Sequence, residues 1–235
     1  MSSLDLKSVR RAKGLTQVDA ARRLGVSQGY VAMLERGKRR LTPRLARQVM
    51  KVYGAPPTVV PPSRTPAESC SRDELAKDLA ALGYPGFAHM RDRRRDPKNP
   101  AQVLLAGLAN DDLESRLVEA LPWLLLRYST VDRGWLVREA KVRDLQNRLG
   151  FVVSLARGVA ERTGNDNQVR TLKELEGQLE RSRLAREDTL CRESAPEPER
   201  RWLKQNQPEE AKRWNVLTDW TPDALRYAGS TSALA

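Results

Sequence analysis

The chain has 235 residues, of which 42 are lysine or arginine and 30 are aspartate or glutamate, and its formal net charge is +12. A chain of this length holds one large domain or two modest ones. Apolar residues make up 40% of the chain and aromatic residues only 5%, a mixture that favours amphipathic helices over a β-sandwich. The sequence therefore predicts an all-α protein.

Residue types suited to catalysis or metal binding are sparse. The two cysteines, Cys70 and Cys191, are 121 positions apart, which fits neither a disulfide framework nor a metal-ligand spacing. His89 is the single histidine, which argues against His-based acid–base catalysis and a His-rich metal site. A metal-dependent carboxylate enzyme stays open because acidic residues are plentiful, but no pattern marks any of them. We therefore expect no catalytic residues, no metal and no cofactor, and a protein that is not an enzyme.

Signals for membrane insertion and secretion are also missing from the sequence. No apolar run approaches the ~18 residues that a membrane span needs. The first residues, MSSLDLKSVRR, lack the apolar stretch of a signal peptide. We therefore expect a soluble protein of the cytoplasm.

The positive charge is concentrated in the first quarter of the chain. Residues 1–54 contain 13 lysines and arginines against 3 acidic residues, a net charge of +10, whereas residues 55–235 have a net charge of +2. Such a basic block favours a polyanionic partner, and nucleic acid is the usual one. A basic membrane-binding helix is the competing interpretation, but it needs a continuous apolar face and this segment is broken into short pieces. The near-neutral remainder argues against a second nucleic-acid site.

Composition divides the chain into four parts. Residues 1–54 are predicted to form a domain of four or five short helices between Leu4 and Tyr53. Residues 55–69 contain five prolines and are predicted to form an extended linker, because proline lacks the N–H that helices and central strands need. Residues 70–192 then form a larger helical domain, and residues 193–235 form a tail that contains aromatic residues.

Apolar periodicity and capping residues predict the helices of the larger domain. A helix from Ser71 to Gly83 buries Leu75, Leu79 and Leu82 on one face. Between it and the next helix we expect a loop with a charged turn at 91–96. The further helices are expected at Pro100–Leu108, from Asp111 or Asp112 through Leu125 with a kink at Pro122, from Asp132 to Arg162, and over Val169–Leu190.

The segment Thr16–Gly37 has the pattern of two short helices joined by a tight turn. Thr16 and Ser27 are suited to cap the two helices, and Gly25 occupies the turn, where a residue that tolerates positive φ is needed. The residues expected to face inward are Val18, Ala21, Leu24, Val26, Val31 and Leu34. Such a unit places its second helix in the major groove of DNA.

The pattern TQ-x3-A-x2-LGVS-x3-V-x2-LE-x-G-x-R in this segment resembles the phage-repressor (Cro/Xre-like) helix-turn-helix family. The resemblance covers about residues 4–54. The matching positions are Thr16, Gln17, Ala21, Leu24, Gly25, Val26, Ser27, Val31, Leu34, Glu35, Gly37 and Arg39. It implies that the first helix of the motif contacts the DNA backbone and the second reads bases. It also implies that Arg10 and Glu35 form an internal salt bridge rather than a DNA contact.

The resemblance further implies which residues touch DNA. Gln28 is the best candidate base reader, since its amide can pair with adenine N6 and N7. Tyr30 contacts either a thymine methyl or a phosphate, or is instead a half-buried packing residue. The basic cluster Lys38, Arg39, Arg40, Arg44 and Arg47 is suited to phosphates. The predicted DNA-contacting set is Gln17, Ser27, Gln28, Gly29, Tyr30, Ala32, Met33, Lys38, Arg39, Arg40 and Arg44. Gly29 and Met33 offer little direct readout, so DNA shape is expected to contribute.

The role of residues 70–235 stays open between dimerisation, sensing and partner binding. A homodimer is expected, because such motifs bind half-sites ~34 Å apart. The leucines from Leu172 to Leu179 are either a dimer seam or internal packing. Trp202, Trp214 and Trp220 either bind a partner or fold the tail onto its own domain.

We expect a sequence-specific transcriptional repressor that binds a palindromic operator as a dimer. The alternative is an autoregulating antitoxin whose residues 70–235 bind a partner toxin. A small-molecule inducer is also possible, and an enzyme fused to a DNA-binding domain is disfavoured.

Overall fold

The computed structural model describes residues 5–63 and 70–227, and these residues form the predicted all-α fold. The helices are α1 (Leu6–Ala12), α2 (Gln17–Leu24), α3 (Gln28–Glu35), α4 (Pro43–Tyr53), α5 (Arg72–Ala81), α6 (Pro100–Leu108), α7 (Ser115–Arg127), α8 (Arg133–Val142), α9 (Gln146–Arg162), α10 (Asp166–Glu180), α11 (Glu197–Asn206) and α12 (Glu209–Arg213). Short 3-10 turns lie at Pro57–Val59, Pro85–Met90 and Pro222–Ala224. Two-residue strands, β1 (Asp188–Thr189) and β2 (Val216–Leu217), pair in parallel, with Asp188 opposite Val216.

The N-terminal bundle consists of α1 to α4, within the predicted number of helices. Thr16 and Asp19 form a reciprocal capping box at the start of α2, and Thr42 caps α4 ahead of Pro43 in its first turn. The bundle has its own core, formed by Leu15, Ala20, Ala21, Leu24, Val31, Leu34, Leu45, Val49, Tyr53 and Ala55.

The predicted inward position of Val18 is wrong, since Val18 is 48% exposed. Ala20, Ala21 and Leu24 form the buried face of α2 instead. Because each helical residue turns by ~100°, Val18 lies well around the helix from Leu24, and the two cannot both point into the core.

Helix α9 forms the centre of the C-terminal domain. Every residue from Gln146 to Ala156 is buried, so this stretch has no solvent-facing side. A helix enclosed on all sides needs neighbours all round, and α7, α8, α10, α12 and the strand pair supply them. The leucines Leu172, Leu175 and Leu179 of α10 are at most 5% exposed and belong to this core. Of the two alternatives left open by the sequence, the structure therefore supports internal packing rather than a dimer seam.

Several predicted helix bounds agree with the structure and others do not. Helix α6 has its predicted bounds, and Ser71 caps α5 by accepting a hydrogen bond from the Glu74 N–H. The predicted helix 132–162 is two helices, because Asp144 adopts a left-handed φ of 56° and ends α8. Helix α7 begins at Ser115 and α10 ends at Glu180, so both are shorter than predicted.

The late start of α7 has a tertiary cause. The Asp112 carboxylate, which was expected to begin this helix, accepts hydrogen bonds from the backbone N–H and the hydroxyl of Ser194, at 3.0 and 2.6 Å. These bonds join the segment before α7 to the tail. The Asp112 side chain therefore links two segments that are distant in the sequence and does not cap α7.

The described part of the tail packs on its own domain. The indole of Trp214 is fully buried, and its Nε1–H donates to Ser154 Oγ of α9 at 2.8 Å. Trp220 is half-buried against the same core. Trp202, on the outer side of α11, is 51% exposed. Two of the three tail tryptophans thus hold the tail on the domain, and one remains on the surface.

The described part of the predicted linker, residues 55–63, contacts both domains. Ala55 belongs to the N-terminal core. The hydroxyls of Thr58 and Thr130 are 2.8 Å apart, and Asn99 Nδ2 donates to the Val60 carbonyl at 2.6 Å. The helical bundle is therefore joined to the C-terminal domain by side-chain contacts as well as by the chain. None of the described helices has the length and apolar content to cross a membrane.

Candidate nucleic-acid interface

The turn between α2 and α3 has the geometry that the sequence predicts. Gly25 ends α2 with a φ of 66°, and the Val26 N–H donates to the Ala21 carbonyl at 3.0 Å. Ser27 then caps α3, accepting a hydrogen bond from the Tyr30 N–H at 3.2 Å. A left-handed glycine and an N-cap within three residues produce the sharp change of direction between the helices.

Glu35, at the end of α3, links α1, α2 and α3 through the hydrogen bonds that its carboxylate accepts. Its carboxylate accepts from Arg10 Nε at 2.5 Å and Arg10 Nη2 at 3.2 Å, and from Gln17 Nε2 at 2.9 Å. Arg10 also donates to the Leu15 carbonyl at 2.5 Å. The predicted Arg10–Glu35 salt bridge is confirmed. Because α1, α2 and α3 share this one carboxylate, the orientation of α3 is fixed within the bundle.

The environment of this pair favours its charged form. Burial works to raise the pKa of Glu35, but the hydrogen bonds from Arg10 and Gln17 outweigh it and the pKa is lowered. The hydrogen bond to Glu35 raises the pKa of Arg10 against the opposing effect of burial. The side chains of Arg10 and Glu35 are only 7% and 4% exposed. Such a buried pair is costly to break from one side.

The predicted base-reading residues at the start of α3 lie on the surface. Ser27, Gln28 and Gly29 are exposed. A Cβ at Gly29 would meet no atom within 4 Å, so a ligand can approach its backbone closely. Among the described residues, the Gln28 side chain has no hydrogen-bond partner. Its amide is therefore free to pair with a base edge.

The remaining predicted residues of α2 and α3 are less available. Tyr30 is half-buried against the bundle core, which favours its packing role. Met33 is also half-buried. Ala32 is only 9% exposed, so the expectation that its side chain faces the groove is not supported. The Gln17 amide is partly engaged, since it donates to Glu35.

A basic cluster follows α3 directly. Gly37 turns the chain with a φ of 68°, and the Lys38 N–H donates to the Met33 carbonyl at 2.9 Å. Lys38, Arg39, Arg40 and Arg44 are exposed, and none has an ion-pair partner within residues 5–63 and 70–227. Four exposed cations between the end of α3 and the first turn of α4 are suited to phosphate binding.

Arg47 differs from the other cations of the predicted cluster. Its Nε lies 3.3 Å from the Asp96 carboxylate of the C-terminal domain. The sequence identified a charged turn at 91–96, but its placement beside α4 depends on tertiary packing and has no local signal. The free cluster therefore comprises four residues rather than five.

Comparison with known proteins agrees with this geometry over the first part of the chain. Residues 6–60 match the family model described as Helix-turn-helix. No curated protein and no solved structure matches the chain. The match confirms the predicted resemblance and ends within the predicted linker.

Proposed function

We propose that this DNA-binding transcription regulator, which has a helix-turn-helix domain at residues 6–60, is a repressor that binds a palindromic operator as a dimer. The observation that carries the proposal is the exposed start of α3 together with four exposed cations between the end of α3 and the first turn of α4, which have no ion-pair partner among the described residues. The buried contacts of Glu35 support it, because they hold α3 in one orientation. A rigid recognition helix loses little conformational freedom on binding.

The two groups of residues contribute differently to binding. The Gln28 amide supplies sequence discrimination, since it can donate to and accept from adenine at once. Lys38, Arg39, Arg40 and Arg44 supply affinity for phosphates irrespective of sequence. One α3 helix contacts few base pairs, so two copies on symmetric half-sites supply the rest of the specificity.

The test is to select bound fragments from sheared genomic DNA of the source organism with the full-length protein and to footprint them. We expect protected half-sites whose centres are one helical turn apart, ~34 Å, or a multiple of it. The Gln28→Ala variant should bind DNA but lose the enrichment of these fragments. Enrichment that is unchanged in this variant would contradict base reading by α3, and a single unpaired half-site would contradict the dimer.

A second candidate function is that of an antitoxin that also binds a partner toxin through residues 70–235. Trp202 favours it: this large side chain is 51% exposed on α11, and exposed tryptophans are enriched at protein interfaces. Co-purification with the product of the adjacent gene tests this candidate. The Trp202→Ala variant should lose the partner while the protein remains folded, and a partner retained by this variant would contradict binding through Trp202.

A further inference from the structure

The second concentration of positive charge lies outside the helix-turn-helix domain. We call residues 91–98, with the sequence RDRRRDPK, the basic loop. It has five cations against two aspartates, within a part of the chain that is otherwise close to neutral. It connects the 3-10 turn at Pro85–Met90 to α6.

The basic loop lies beside the basic cluster of the N-terminal domain. Its Asp96 forms the 3.3 Å ion pair with Arg47 of α4. Arg44, one of the four free cations, precedes Arg47 by three residues, and side chains at this spacing lie ~5–6 Å apart on one helix face. The loop therefore adjoins the surface proposed to bind phosphates.

The buried carboxylate of Asp78, the half-exposed carboxylate of Glu74 and a linker contact fix the position of the loop. Arg95 pairs with Asp78 at 2.5 Å and with Glu74 at 2.7 Å, and Lys98 Nζ lies 2.6 Å from Asp78. Asn99, the next residue, donates to the linker carbonyl of Val60. Two of the five cations are thus used to anchor the loop to α5.

The three remaining cations of the basic loop are available to bind a ligand outside the chain. Arg91, Arg93 and Arg94 are exposed. In the part of the chain that the structure describes, Arg93 and Arg94 have no ion-pair partner. A fixed loop that presents unneutralised guanidinium groups next to a DNA-binding face is suited to the same polyanion.

Resting on the proposed function, we propose that the basic loop is a second DNA contact, in which Arg93 and Arg94 bind backbone phosphates flanking the site covered by α3. The near-zero charge of residues 55–235 does not oppose this contact. Exposed charges act over a Debye length of ~8 Å at physiological salt, so the local charge decides. DNA is favoured over an acidic protein because the loop continues the basic surface of α4.

The experiment measures affinity against salt for the full-length protein and a labelled mixed-sequence duplex of about four helical turns, because phosphate contacts do not depend on sequence. The test variant is Arg93→Gln/Arg94→Gln. We expect the slope of log affinity against log salt to fall in magnitude by about two, at ~0.9 per phosphate contact. The loss of affinity between roughly 50 and 200 mM salt then becomes about 12-fold smaller than in the wild type.

Two further variants make the result interpretable. Arg181→Gln/Arg186→Gln removes the same charge from exposed positions on a segment bonded to the start of α9, and it should keep the wild-type slope. Arg39→Gln/Arg40→Gln removes two cations of the helix-turn-helix domain and should lower the slope by about two. All of these side chains are exposed and form no ion pair with the residues that the structure describes, so the unfolding midpoints should match the wild type.

The outcomes separate this inference from the proposed function. A wild-type slope for Arg93→Gln/Arg94→Gln alongside a reduced slope for Arg39→Gln/Arg40→Gln would overturn the loop contact and leave the function standing. An equal reduction in Arg181→Gln/Arg186→Gln would also overturn it, because net charge alone would then explain the effect. A wild-type protein that binds no duplex at any salt concentration would overturn both.

Discussion

The Trp214→Ala variant tests whether the tail belongs to the fold of the C-terminal domain. Trp214 is fully buried and donates a 2.8 Å hydrogen bond to Ser154. Removing a buried tryptophan costs ~3–5 kcal/mol in lost contacts and residual cavity. For a domain of this size each kcal/mol lowers Tm by about 2–4 °C, so we expect a drop of roughly 6–20 °C.

Trp202→Ala is the matched control in the same tail, because Trp202 is half exposed and outside the core. It should change the free energy of unfolding by no more than ~0.5 kcal/mol. Urea and thermal unfolding followed by circular dichroism measure both variants without relying on tryptophan fluorescence. Equal stabilities of the two variants would refute the packing of the tail on its own domain.

Gly150 provides a second and sharper test of the same contact. A Cβ at position 150 would overlap the six-membered ring of Trp214. Gly150→Ala in the wild type should therefore destabilise the domain by ~1–3 kcal/mol through overpacking. In the Trp214→Ala background the overlap is gone, and the same substitution should stabilise the helix by ~0.5–1 kcal/mol. An effect of the same sign in both backgrounds would refute the reasoning, since the sign depends only on the ring beside Gly150.

The other predictions concern the helix-turn-helix domain. Gln28→Ala should lose ~1–3 kcal/mol of discrimination between operator and non-specific duplex, and a ratio of affinities equal to that of the wild type would contradict base pairing by its amide. Arg39→Ala should weaken binding to all duplexes alike and reduce the salt slope by about one, measured by titration at several salt concentrations; a loss confined to the operator would contradict a phosphate contact. Glu35→Gln should cost ~3–5 kcal/mol, since it leaves the buried Arg10 charge uncompensated, and unchanged thermal unfolding would exclude a structural role for the pair. Because the pKa of Glu35 is lowered by folding, its contribution to stability is present above the unfolded-state pKa and is lost as pH falls through the folded value. The acid dependence of unfolding should therefore be shallower in Glu35→Gln than in the wild type.

Local sequence signals were sufficient for much of the helix-turn-helix domain. Thr16, Gly25 and Ser27 determine caps and a turn that depend only on neighbouring backbone groups, and the structure places them as predicted. The same locality explains α6, where Asn99 and Pro100 set the first turn. Capping chemistry and left-handed glycine act within a few residues, so they can be identified before any tertiary contact is known.

Positions that depend on distant partners could not be assigned in this way. The apolar period of 132–162 continues through Asp144, but the left-handed backbone there separates α8, which contacts α6, from α9, which contacts α7 and α12. Asp112 was expected to begin a helix but bonds to Ser194, 82 residues away along the chain. Neither the helix break at Asp144 nor the Asp112–Ser194 hydrogen bond can be recognised from the local sequence pattern.

The sequence by itself determined the helical class, the helix-turn-helix unit and the location of its positive charge, because periodicity, capping residues and composition act locally. The Arg10–Glu35 pair, 25 residues apart, was expected only from the family resemblance. Only the tertiary structure decided which apolar residues are buried and against what. Trp202 and Trp214 are the same residue type in the same tail, yet one is half exposed and the other is enclosed by α9. The period of a helix shows that it has an apolar face, whereas burial of that face depends on the elements that chain topology brings against it. The same reason applies to the basic loop, whose charges are evident in the sequence and whose place beside α4 comes from its contact with Arg47.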